Sequence, residues 1–172
     1  MKNIYLSLLL ILGLSTSNAQ SIFDAARNGD VNQIEALVKS NPESVNSTNA
    51  MGFGPLVLAV YNNQIKATKL LLEKGANIDA QDGSGNTALM GAVFKNHQNM
   101  VDLLLNKGTN PNIQNSQGQT ALAFAVIFNR IDLVKLLLKN NADKSIADKT
   151  GKTPLQIARN QQNQALVNLL KD

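Results

Sequence analysis

Apolar positions along the chain fall into short helical stripes that return at a fixed interval. Ala67, Thr68, Leu71 and Leu72, then Met100, Val101, Leu104 and Leu105, then Leu133, Val134, Leu137 and Leu138 repeat steps of one, three and one. Those steps put each set on one face of a helix. A briefer apolar run precedes each set, and its landmarks keep strict register: Leu56, Leu89, Leu122 and Leu155 are 33 residues apart, as are Ala59, Ala92, Ala125 and Ala158. Gly52, Gly85, Gly118 and Gly151 share the spacing of 33. The pattern predicts one elongated array of helix pairs, each burying its apolar face against the next, in place of a single thick core.

Polar residues punctuate the array in the same register. The loop Asp82-Gly83-Ser84-Gly85 has glycine where positive φ is required. Thr87, Thr120 and Thr153 stand where a helix N-cap belongs, offering an oxygen to a free amide of the first turn. Pro154 follows at the first helical position, and Thr153 with Gln156 fits a capping box. Asn63, Asn96 and Asn129 are predicted to stop the first helices in the left-handed conformation. Gly75, Gly108 and Asn141 release the second helices, with Lys74, Lys107 and Lys139 facing the negative ends of their dipoles. Residues 22–45 read as two helices around Gly29, stopped at Asn41-Pro42 and lacking the opening turn of later units. This is the pattern of an N-terminal cap.

TALM at 87–90, TALA at 120–123, TPLQ at 153–156, the LLL runs and GANIDAQD at 75–82 resemble the ankyrin repeat, from about Ile22 to Asp172. The resemblance implies an all-α solenoid of stacked helix-turn-helix units, with turns projecting from one edge and a concave face made by turns and first helices. Units are expected at about 21–48 for the cap, 49–81, 82–114 and 115–147 for full repeats, and 148–172 for the C-terminal unit of a domain spanning 20–172. Two departures stand out. Val57, Met90, Ala123 and Gln156 replace the family's histidine, so the hydrogen bonds it supplies between repeats are expected to be lost, with apolar packing replacing much of them. Gly91 stands where neighbouring units have Leu58, Phe124 and Ile157, and is expected to make room for Phe124.

The first 19 residues belong to a different pattern. Lys2 gives a positive start, Ile4 to Leu14 an apolar run of 11 residues, and Ser17-Asn18-Ala19 small residues at a cleavage position. This is the layout of a secretory signal peptide cut near Ala19. The run is short of the roughly 20 residues that span a bilayer, so an uncleaved anchor or a plain apolar tail is the lesser reading. Cleavage would begin the mature chain at Gln20 or Ser21 and place it in the periplasm or outside the cell, with no membrane contact afterwards. Cysteine is absent, which excludes disulfides, thiolate metal sites, a cysteine nucleophile and lipoprotein processing.

Composition changes the picture little. The formal net charge is +4, including Lys2 of the leader, too weak to argue for nucleic acid in a chain poor in arginine and stacking aromatics. Eight basic and four acidic residues lie from Arg130 to Asp172, against seven and eight from Gln20 to Asn129. Steering of an acidic partner toward the C-terminal end, or a solvated capping face, follows from that asymmetry. His97 is the sole histidine and lacks partners for metal or acid-base work. Asp79, Asp82, Asp143 and Asp148 recur in turns, which favours turn and surface roles over an acid and base converging on a cleft. No catalysis, cofactor or metal is expected.

Partner binding is expected at apolar residues where such a scaffold is open. Met51 and Phe53 lie in the first full turn, and Tyr61, Phe94, Ile127 and Phe128 near the ends of successive first helices, flanked by Asn62 and Lys95. Gly83, Ser84 and Asn86 are turn positions that the repeat leaves free. A contiguous exposed aromatic ridge marks a partner site; packing between units is the alternative. The expected partner of this monomer is another protein. Among exported bacterial proteins that it resembles, some are associated with catalase and peroxide protection and others are proposed to occupy a toxin; self-assembly through the repeat ends is the structural alternative.

Overall fold

A computed structural model describes residues 21–171; the proposed leader and its cleavage point lie outside them. Within that range the chain folds into five helix pairs: α1 (Ile22–Asn28) with α2 (Val31–Ser40), α3 (Pro55–Tyr61) with α4 (Ile65–Glu73), α5 (Ala88–Phe94) with α6 (Gln98–Asn106), α7 (Ala121–Ile127) with α8 (Ile131–Lys139), and α9 (Pro154–Asn160) with α10 (Gln164–Lys171). A short 3-10 helix, Pro42–Asn46, follows α2; Pro42 therefore opens a new turn as well as ending the helix before it. The odd-numbered helices pack in succession as an inner layer, and each even-numbered helix covers its partner from outside.

Local chemistry sets the helix ends. The hydroxyls of Thr87, Thr120 and Thr153 accept the amides of Met90, Ala123 and Gln156, and the Thr153 capping box is complete. Asn63, Asn96 and Asn129 adopt φ of 56°, 59° and 56°, and Gln162 takes the same place in the last unit at 55°. Glycine in the projecting turns has two reasons to be there. Gly85 sits at φ 75°, and a Cβ on it would lie 2.8 Å from the Ser116 amide of the next turn. Gly151 keeps the positive φ but has nothing within 4 Å, because among the described residues no further turn stacks on it.

The core is a continuous band between and within the pairs. Leu71, Met100, Leu104, Leu133 and Leu137 of the outer helices are fully buried against Leu89, Met90, Leu122 and their neighbours from the inner helices. Leu72 and Leu138, at the edge of the predicted stripes, are only half-buried.

Polar links between units are more extensive than the missing histidines led one to expect. Gln81 donates to the carbonyls of Gly85, in its own turn, and Gln114, in the next. Gln114 repeats this with Gly118 and Ala147, 33 residues farther on. A second row is formed by Asn46, Asp79 and Asn112. Asn46 joins Gly75 and Asn77, Asp79 accepts from the Thr109 hydroxyl at 2.6 Å and the Asn110 amide, and Asn112 joins Asn141 and Asp143. Side-chain amides and the Asp79 carboxylate therefore bridge successive units, and apolar packing is not left to join them alone.

Candidate functional site

Turns and inner helices enclose a groove of about 570 Å³, lined mainly by Met51, Phe53, Leu58, Tyr61, Met90, Gly91, Phe94 and Phe124, with Arg27, Asn62, Asp82, Ser84 and Asn86 at its polar margins. Its shape follows from the register of the units. Tyr61 and Phe94 occupy equivalent positions, as the last residues of α3 and α5, and both line the groove with Met51 and Ser84 of the turns. Tyr61 stacks on Phe94 at 6.0 Å between ring centroids, Phe94 meets the edge of Phe128 at 5.0 Å, and Phe128 meets Phe124 at 5.8 Å. These geometries are the favourable offset and edge arrangements of aromatic pairs. The Lys95 ammonium lies 4.8 Å from the Tyr61 ring centre, a cation over a π face.

The aromatic ridge is open and not hidden between units. Met51 is 64% exposed, Phe94 39%, and Tyr61 and Phe128 37% each. Asn62, Gly83, Ser84 and Lys95 are exposed as well, while Phe53, Asn86 and Ile127 are half-buried. Of the residues expected to bind a partner, the groove brings together Met51, Phe53, Tyr61, Asn62, Ser84, Asn86 and Phe94. Phe128 and Lys95 join through their contacts with Phe94 and Tyr61. Gly83 lies under the Met51 carbonyl at a turn tip, and Ile127 lines no part of the groove.

Sequence reasoning placed Phe124 in the space at Gly91, and the structure places Tyr61 there. A Cβ on Gly91 would meet Tyr61 Cδ2 at 3.3 Å and no other residue's atoms within 4 Å outside the local helix. Tyr61 comes from the unit before and Phe124 from the unit after, so the repeat register alone could not choose between them. Arg27 was also missed. One extra residue separates the cap from the first repeat relative to the usual period of 33, which hides that Arg27 occupies the position of Tyr61 and Phe94.

Electrostatically the groove is quiet. Asp82 accepts from the amides of Ser84 and Asn86 at 2.8 Å and from the Asn86 side chain, so it shapes its own loop. Arg27 is bound to Asp24 at 2.8 Å. The Ser21 hydroxyl, ahead of Arg27, holds the Asp24 carboxyl below the usual carboxylate range. Asp143 and Asp148 are lowered too, chiefly by the hydroxyls of Ser145 and Thr150 in their own turns. His97 precedes α6, and its ring Nε2 lies 3.3 Å from the Tyr61 carbonyl, which it can only reach as a donor. Each of these polar groups has a turn or inter-unit role. Among the described residues, no three of His, Asp or Glu converge as metal ligands, and no helix is long and apolar enough to cross a membrane.

Comparison with known proteins gives two family matches. The profile described as ankyrin repeats (3 copies) matches residues 22–115, and that described as ankyrin repeats (many copies) matches residues 103–158. Among curated relatives, the ankyrin repeat and SAM domain-containing protein 6 of Danio rerio is 33% identical over 61 residues, covering 36% of this chain and 8% of that protein. The protein of the same name from Rattus norvegicus is 34% identical over 61 residues, covering 36% of this chain and 7% of its own length.

Proposed function

From the premise that this chain belongs to the ankyrin repeat family, we propose that it is a non-catalytic scaffold that binds another protein through its projecting turns and inner helices. The observation that carries this reading is the open row Tyr61, Phe94 and Phe128 beside a groove of about 570 Å³. Stacking of the units does not require aromatic side chains facing water, whereas protein partners are held by such anchors.

The leader pattern of residues 1–19 supports export, so the scaffold acts as a monomer in the periplasm or outside the cell. Resemblance to exported proteins of this kind supports a role in catalase-linked peroxide protection, with toxin immunity and end-to-end self-assembly as alternatives. Affinity capture from the envelope fraction, run in parallel with the wild type and a Tyr61→Ala/Phe94→Ala variant of unchanged helicity, tests the proposal. A partner held by the wild type and lost by the variant is expected; its identity separates peroxide protection from toxin binding. Equal capture by both proteins would overturn the site, and a mass that grows with concentration in light scattering would favour self-assembly.

A further inference from the structure

The face formed by the turns and inner helices changes character along its length. In the turn row that faces the groove, Phe53, Asn86, Gln119 and Lys152 follow each other at the repeat spacing; in the helix row below it come Leu58, Gly91, Phe124 and Ile157. The N-terminal part is therefore apolar, and Gly91 forms part of the groove floor, with the Tyr61 ring leaning over it. At the other end Lys149 and Lys152 are exposed and, among the described residues, form no ion pair. Asp148, the carboxylate of that turn, already accepts the Thr150 amide and hydroxyl and the Lys152 amide on one oxygen. Between the two ends, the projecting turn tips and the first helices with their caps carry only Asp82 and Lys95 as charged groups, while Lys74, Asp79 and Lys107 lie in the links that follow the second helices. Arg27, at the apolar end, is neutralised by Asp24. The unbalanced charge of this face thus sits at its C-terminal end.

We propose that the segment of the protein partner lying in the groove carries an aromatic or large aliphatic side chain that seats over Gly91 against the stacked Tyr61 and Phe94 rings, and acidic side chains that reach Lys149 and Lys152. The inference rests on the scaffold reading above and specifies its partner's chemistry. Two steps between packed inner helices, α5 to α7 to α9, cover roughly 16 to 20 Å at ordinary interaxial distances. An extended chain rises about 3.3 Å per residue, so anchor and acid are separated by about five or six residues. A basic segment would meet two lysines against the single carboxylate of Asp148, a net positive charge that disfavours that partner and sets the orientation of the acidic one.

Selection of a displayed random library of peptides about 12 residues long, sized to that span, tests the chemistry on the purified protein. Wild type is expected to enrich peptides with one aromatic or large aliphatic residue and Asp or Glu about five or six positions away. Lys149→Glu/Lys152→Glu is expected to bind those peptides about tenfold more weakly, mainly through slower association, and high salt should erase the difference. Gly91→Leu adds bulk to the groove floor against Tyr61 and is expected to weaken them by about tenfold at unchanged helicity; Gly91→Ala reads the same position if leucine disturbs the helix. Peptides that depend on Phe94 yet show no acidic preference, or that bind the double glutamate variant within about twofold of wild type, would overturn this inference while leaving the scaffold reading intact. Enrichment of no peptide, or peptides indifferent to Phe94, Gly91 and both lysines, would overturn the scaffold reading itself.

Discussion

The inner and outer helix layers are products of the same repeat and bury similar apolar faces, yet they present different faces to water. On the outer layer Lys66, Lys69, Glu73, Asn99, Asp102, Asn106 and Lys135 are exposed. On the inner layer the open positions include Tyr61, Phe94 and Phe128, joined by Met51 from a turn, beside Arg27, Lys95 and Arg159. Packing explains what the layers share. It does not explain aromatic rings at the surface of one and mainly charged and polar chains at the surface of the other, and the proposal that the inner layer meets a partner rests on that difference.

If the shared part of this comparison is right, buried positions in either layer hold the stack together. Leu104 of α6 is fully buried, and Leu104→Ala should cost about 2 to 5 kcal/mol in urea unfolding. Asp102→Ala, on the open face of the same helix, should stay within about 0.5 kcal/mol. A similar cost for both would dissolve the distinction between the buried and open faces of α6.

The part that differs is sharpened at Phe94. Phe94→Ala removes ring contacts on an open face and should lower stability by about 1 kcal/mol, while weakening partner binding by about 2 kcal/mol or more. Titration calorimetry with the captured partner, beside a denaturation curve, reads both quantities. Loss of stability without loss of binding would return Phe94 to the core.

Thr68 offers a smaller test within the outer layer. It is fully buried with no hydrogen-bond partner for its hydroxyl, and Val101 and Val134 hold the same place in the next units. Thr68→Val should therefore raise stability by about 1 kcal/mol in the same urea assay.

The repeat, the helix caps and the turn asparagines were legible because each is local chemistry. Thr87 caps an amide three residues away, and Asn96 needs only its own φ. The Gln81 and Gln114 links were harder to see, since half of each depends on a carbonyl in the following unit. Their spacing of 33 was the available signal. At the groove, the exposed aromatics were anticipated from register, but the contents of the space at Gly91 were not. Which neighbour leans into a gap is decided by side-chain rotamers across units, and a linear pattern carries no record of that choice.

Acid should produce the smallest effect, and it belongs to loops and not to either helix layer. Asp24, Asp143 and Asp148 are held below 3.8 in the fold, foremost by the hydroxyls of Ser21, Ser145 and Thr150. A depressed folded value stabilises the protein above the unfolded value, and this contribution is lost as pH falls through the folded one. Thermal melts should thus be flat from neutrality to about pH 5 and decline below about pH 4, with a shallower decline in Thr150→Ala.

Amide hydrogen exchange of the protein alone and with its captured partner is the most direct test of which layer binds. Protection is predicted in the turns around Met51 and Ser84 and at the ends of α3 and α5, with α4, α6 and α8 unchanged. Protection confined to the outer helices would contradict the account.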